Sequence, residues 1–142
     1  MNHHVLQIVV GIILSLMISG CATVYRSPGS ELLKPSEMAV INKSSIHSDI
    51  VITTLNGKRR GPLDIIERCE LSPGEHSITV ALHKDGYTGG EITRWFQAQA
   101  GQEYVINAVI DTVAMKWGIA IVDKNLGQRV DYEKPIDTQV SP

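Results

Sequence analysis

The stretch Leu71-Ser72-Pro73-Gly74-Glu75-His76-Ser77-Ile78-Thr79-Val80-Ala81-Leu82-His83 decides the fold. Ile78, Val80 and Leu82 share one side of an extended chain, and Ser77, Thr79, Ala81 and His83 share the other, which is the period of two of a half-buried strand. Ser72-Pro73-Gly74-Glu75 leads into it as a turn. Proline presets φ at the second position, and glycine supplies the positive φ that a type II turn needs at the third.

The same alternation extends in both directions. Upstream, Leu63, Ile65, Cys69 and Leu71 line one face of a segment 63–71, with Glu67 as an intruder that marks a bulge or an edge. Before that come segments 38–42 and 49–55, the second closed by Asn56-Gly57, a strong signal for a type I′ hairpin turn. Downstream, a loop over 84–90 precedes segments 92–100 and 103–112, and residues 113–117 could form a helical turn. A last segment, 116–123, carries Ile119-Ala120-Ile121-Val122 in succession, as a strand covered on both faces does. About seven short strands with turn signals between them predict an all-β fold, a small antiparallel β-sandwich over 38–130. Residues 22–37 (ATVYRSPGSELLKPSE) read as a flexible tether reaching on the order of 20 Å, with Leu32-Leu33 as a spot that could dock. Residues 131–142, poor in hydrophobic side chains, read as a disordered tail.

The amino-terminal end has a different character. Residues 1–20 contain no Asp, Glu, Lys or Arg, and Val5 to Ile18 is apolar apart from Gln7, Gly11 and Ser15. That run falls short of the roughly 20 residues needed to span a bilayer and suits the hydrophobic region of a secretory signal. Ile18-Ser19-Gly20-Cys21 resembles the lipobox of bacterial lipoproteins. The resemblance implies cleavage between Gly20 and Cys21, acylation of Cys21 and a membrane anchor through that lipid. With Ala22 rather than Asp after the cysteine, it also implies the outer membrane, facing the periplasm, over the inner membrane.

Composition narrows the function. All charged residues follow position 20, and the net charge is −2, so nothing recommends nucleic-acid binding. With Cys21 acylated, Cys69, the second of two cysteines, has no disulfide partner in the chain and reads as a small core side chain.

Residues 71–78 and 98–105 echo one another around Gly74 and Gly101, each placing a small turn between two apolar alternations. Asn56-Gly57-Lys58, Gly61-Pro62-Leu63, Leu71 with Pro73-Gly74-Glu75-His76, Gly86-Tyr87 and Ala100-Gly101-Gln102 are similar to the turn motifs of the PEGA domain, a small β-sandwich of prokaryotic envelope proteins. The similarity covers roughly residues 50–110. It implies a binding or spacer module and supplies no catalytic residue.

No catalytic motif emerges from the residues. His76 and His83 are seven apart on one strand, hence on opposite faces, and no group of His, Cys, Asp and Glu has zinc or calcium spacing. No nucleophile elbow or phosphate-binding glycine loop is present. The expectation is a non-enzyme without cofactor or metal. Two binding candidates remain. Lys58-Arg59-Arg60 would project together from a hairpin end toward anionic envelope polymers or headgroups, or form a solvated turn that blocks edge pairing. Trp95, with Thr93, Gln97 and Gln99 on its side of the strand, would be exposed as an interface aromatic; the alternatives bury it and expose Arg94 and Phe96, or cover it with a loop. Trp117 reads as core. The expected role is a non-catalytic binding or scaffolding module contacting an envelope protein or cell-wall polymer. The alternatives are an accessory subunit of an envelope or secretion complex and, less favoured, a cell-wall or lipid hydrolase.

Overall fold

The computed structural model describes residues 24–44, 49–61, 66–84, 87–111, 113–114 and 116–134. Ten strands follow in chain order: β1 (Val24–Arg26), β2 (Ala39–Lys43), β3 (Ile50–Leu55), β4 (Lys58–Arg59), β5 (Arg68–Leu71), β6 (Gly74–Lys84), β7 (Tyr87–Thr88), β8 (Ile92–Ala98), β9 (Glu103–Asp111) and β10 (Lys116–Asp123). A 3₁₀ turn, Pro35–Glu37, precedes β2. The seven longest strands coincide with the seven segments whose alternation is visible in the sequence, and the fold is all-β. Positions 63–65 of the 63–71 segment lie outside the described residues, as do Pro62, the proposed signal peptide, Cys21, the Gly86 turn position and residues 135–142. Among the described residues, no helix is long and apolar enough to cross a membrane.

Two sheets face each other. The first has the order β1-β5-β2-β9-β10; in the second, β4-β3-β6 continues to β8 along the first part of β6 and to β7 along its end. Pairing is not purely antiparallel, which corrects the expectation: β1 runs parallel to β5 and β2 parallel to β9. The cause is connectivity. The chain leaves the first sheet, builds part of the second and returns, and such an excursion brings strands back side by side in the same direction.

The two echoing turns are where this happens. Ser72-Pro73 carries the chain from β5 in the first sheet to β6 in the second, and Gln99 to Gln102 carries it from β8 back to β9. Each small turn between two alternations is thus a corner between sheets, not a hairpin within one sheet. Gly101, at φ +72°, donates its N–H to the Met38 carbonyl at 2.9 Å, and a Cβ there would stand 3.2 Å from the Ser36 oxygen. The Asn56-Gly57 turn between β3 and β4 does take positive φ at both residues, 49° and 74°, as type I′ geometry requires.

The core lies between the sheets. Ala39 and Ile41 from β2, Cys69 and Leu71 from β5, Tyr104 and Ile106 from β9, and Ile119 and Ile121 from β10 meet Ile50, Ile52, Leu55, Ile78, Val80, Phe96 and Ala98 of the second sheet. The Phe96 and Tyr104 rings meet edge to face, 5.3 Å between centroids. Burial pushes the Cys69 thiol up to about 12 against the pull of the nearby Arg60 charge, so it stays protonated and inert. His76 is buried and clamped, donating from Nε2 to the Ser72 carbonyl at 2.7 Å and meeting the Asn56 amide through Nδ1, whereas His83 is exposed.

Both ends of the described chain pack on this body, so residues 24–37 of the expected tether and 131–134 of the expected tail are held against it. From Val24 the chain is a strand on the edge of β5. Ser27 is buried, receives the Ser72 N–H on its hydroxyl at 3.0 Å and donates its own N–H to the Glu70 carbonyl. Serines there satisfy backbone groups at the end of the sheet, so a composition that reads as loop is in fact docked. Leu32, a proposed docking spot, is 96% exposed. At the other end Arg129 bridges to Val122 of β10 and Tyr132 to Trp95 of β8. Residues 129–134 therefore form a strap from the edge of one sheet to the edge of the other.

Candidate functional site

Trp95 follows from its register. It pairs with Ser77 of β6, while its neighbours Arg94 and Phe96 pair with the inward residues Ile78 and His76. Phe96 is fully buried, so Trp95 faces out of the second sheet and is half-buried among Thr93, Ser77 and Gln97. The structure combines two of the expectations for Trp95: it turns outward, and the strap covers part of it.

The strap is itself a strand-like alternation. Tyr132 exchanges both backbone hydrogen bonds with Trp95, at 3.0 and 2.8 Å. Outward, Tyr132 and Lys134 both hydrogen-bond the Glu75 carboxylate, and the Lys134 ammonium lies 5.9 Å from the Trp95 ring centroid. These two donors, Lys134 foremost, hold the Glu75 carboxyl below its ordinary range, and the Glu75 bond raises the Tyr132 hydroxyl. Inward, Asp131 has a fully buried side chain that accepts the Ile121 N–H at 2.8 Å and meets Arg129 at 2.7 Å and Arg94 at 3.3 Å. Glu133 meets Arg94 at 2.6 Å. Together Glu91 to Trp95, Glu133 and Lys134 line an open depression of about 430 Å³.

The basic run is dispersed rather than clustered. Lys58 is exposed, and Arg59 crosses the outer face to Glu91, 3.3 Å away, which brings it to the rim of the Trp95 depression. Arg60 does not project with them. Its N–H goes to the Thr53 carbonyl at 2.8 Å and its guanidinium turns under the edge, 3.7 Å over the Tyr25 ring. Three consecutive cations cannot all point outward where the chain is leaving the sheet. The surface that emerges, from Arg59 to Trp95, Tyr132 and Lys134, is open, mixed in charge and aromatic at its centre. Among the described residues no three His, Cys, Asp or Glu side chains are grouped to hold a metal ion.

Glu75, Tyr132 and Lys134 are absent from the sequence candidates. The signal was faint: Val130-Asp131-Tyr132-Glu133 alternates over four residues only, and the charged Lys134 stands where the next apolar residue would fall. Comparisons with protein-family models, curated proteins and solved structures find no match to this chain.

Proposed function

We propose that the protein is a lipoprotein, cleaved before Cys21 and anchored by its acyl chains in the outer membrane. Its sandwich serves as a non-catalytic binding or scaffolding module in the periplasm. Contact is made through the outer face of the second sheet, with Trp95 as anchor and Tyr132, Lys134 and Arg59 around it. The observation that carries this reading is the outward indole: a half-buried tryptophan on a sheet face of Thr, Ser and Gln side chains, beside an open depression. Aromatics so placed present a large rigid contact area, and tryptophan is enriched among residues that dominate interfaces. The lipobox residues supply the anchor and the address.

The test is photo-crosslinking from position 95 in the acylated protein in intact cells, with position 59 as second probe. A discrete adduct at either position identifies the partner as protein; adducts that run with cell-wall fragments identify it as polymer. A folded protein with no adduct at either position removes this face as the contact surface. Cys21→Ser tests the anchor separately: unchanged processing and membrane association would overturn it.

A further inference from the structure

Strand directions place the amino-terminal end of β1 and the β9–β10 hairpin tip at one end of the sandwich. β1 and β5 run the same way; β2 and β9 run against them, and β10 returns. Val24, the first residue of β1, therefore shares an end of the sheet with Asp111, the last of β9, and Lys116, the first of β10. Across the sheet β1 and β9 are three strand spacings apart, about 14 Å, and because Val24 is level with Arg68, Asn42 and Val105, the hairpin tip stands about 20 Å further out along the strands than Val24.

That end carries an unusual surface. Val109 is 53% exposed, Ile110 46% and Val113 94%, with Val24 at 43%. Val109 and Ile110 lie on opposite faces of β9, so the hairpin is apolar on both sides, which packing against this chain does not explain. Its turn presents Val113 and Ala114 where Gly, Asn, Asp and Ser predominate. The Asp111 carboxylate accepts the N–H groups of both, at 3.0 and 2.9 Å, and holds the turn with Val113 outward. Lys116 beside it is exposed.

Resting on the anchor proposed above, we infer that this hairpin tip is a second membrane contact: Val109, Ile110 and Val113 enter the headgroup and acyl boundary of the bilayer that holds Cys21. Only Ala22 and Thr23 separate Cys21 from Val24, a reach of about 10 Å at full extension. Because β1 begins at Val24, the sandwich has no long tether to stand off on. Its lower end is held at the lipid surface, where exposed aliphatic side chains gain from burial. The opposite end, with Leu126 and Leu32, points away into the periplasm.

The experiment uses the acylated full-length chain in vesicles of phosphatidylethanolamine and phosphatidylglycerol, with an environment-sensitive fluorophore on Val113→Cys or, as control, Leu126→Cys. Both positions are exposed, so neither substitution threatens the fold, and the Cys69 thiol, pushed up to about 12, does not compete for label. Nitroxide-bearing lipids are expected to quench the 113 probe about twofold or more at a depth of about 5–10 Å, and to leave the 126 probe unchanged. Acylated, vesicle-bound protein whose 113 probe is quenched no more than its 126 probe overturns this inference alone, even if the 113 emission reports an apolar protein partner. A chain recovered without acyl groups at Cys21 overturns the anchor and this inference together.

Discussion

The sandwich is closed along its two open sides by two arginines in unlike company. On one side Arg60, leaving the second sheet, turns inward over Tyr25 of β1; its Nε and one Nη are buried with no hydrogen-bond partner among the described residues. On the other side Arg94 occupies an inward position of β8 opposite Ile78, where its buried Nε, also without a hydrogen bond among the described residues, lies 3.3 Å from the Asp131 carboxylate and its Nη1 meets Glu133 at 2.6 Å. One cation is held by the face of a ring, the other by two carboxylates. The difference teaches what each end of the chain contributes. The amino-terminal segment adds a strand and a ring, and the carboxyl-terminal strap adds the counter-charge without which β8 could not carry an arginine at a core position.

The largest effect should follow from removing that counter-charge. Asp131→Ala leaves the Ile121 N–H without its acceptor and Arg94 with the exposed Glu133 alone, and breaking a buried pair from one side costs about 3 kcal/mol. Urea denaturation should show the loss as a lower midpoint with the strap released from Trp95. A loss below about 1 kcal/mol would put the strap in the class of exposed surface ion pairs and erase the distinction between the two sides.

The strands were legible because side-chain alternation and turn chemistry are local. Ile78-Val80-Leu82, the Asn56-Gly57 turn and the polar neighbours of Trp95 each carry their meaning within a few residues. Pairing is not local: nothing in Leu71 to Glu75 distinguishes a hairpin from a corner between sheets, since both need a tight turn and a new alternation. The straps were illegible for a different reason. Val130-Asp131-Tyr132 has too few apolar residues to bury by itself, and its order depends on Arg94, 37 positions earlier in the chain. The Lys58-Arg59-Arg60 run likewise hides that its third member faces Tyr25, because the partner ring lies on a segment with loop composition.

The second prediction reverses sign between the two sides. Arg60→Met removes a charge whose buried nitrogens lack partners, a desolvation cost of about 1–3 kcal/mol, against a ring contact that returns about 0.5–2 kcal/mol. The variant should be between neutral and about 1 kcal/mol more stable, in keeping with hydrophobic replacement of buried charge. Arg94→Met should be destabilising, because it leaves the buried Asp131 carboxylate without one of its two cations. If both substitutions shift the unfolding midpoint in the same direction, the two arginines are equivalent and the comparison falls.

The smallest effect is a pH dependence confined to the strap's outer face. Glu75 has a folded-state pKa below its ordinary 4.5, so its contribution is complete above 4.5 and is lost as pH falls through the folded value. Tyr132 has a folded-state pKa above its ordinary 10.0, so its contribution is complete below 10.0 and is lost as pH rises through the folded value. Between those limits the Lys134 ammonium stays over the Trp95 ring, and the indole fluorescence should be flat. Acidification well below 4.5 should release Lys134 and change the Trp95 emission, read against a Trp95→Phe background to separate it from Trp117. Glu75→Gln should abolish that acid step while leaving the buried Asp131 cluster, and with it the attachment of the strap, in place. An acid step that persists in Glu75→Gln would assign it to the Asp131 side instead, and the strap would then have one electrostatic hold, not two.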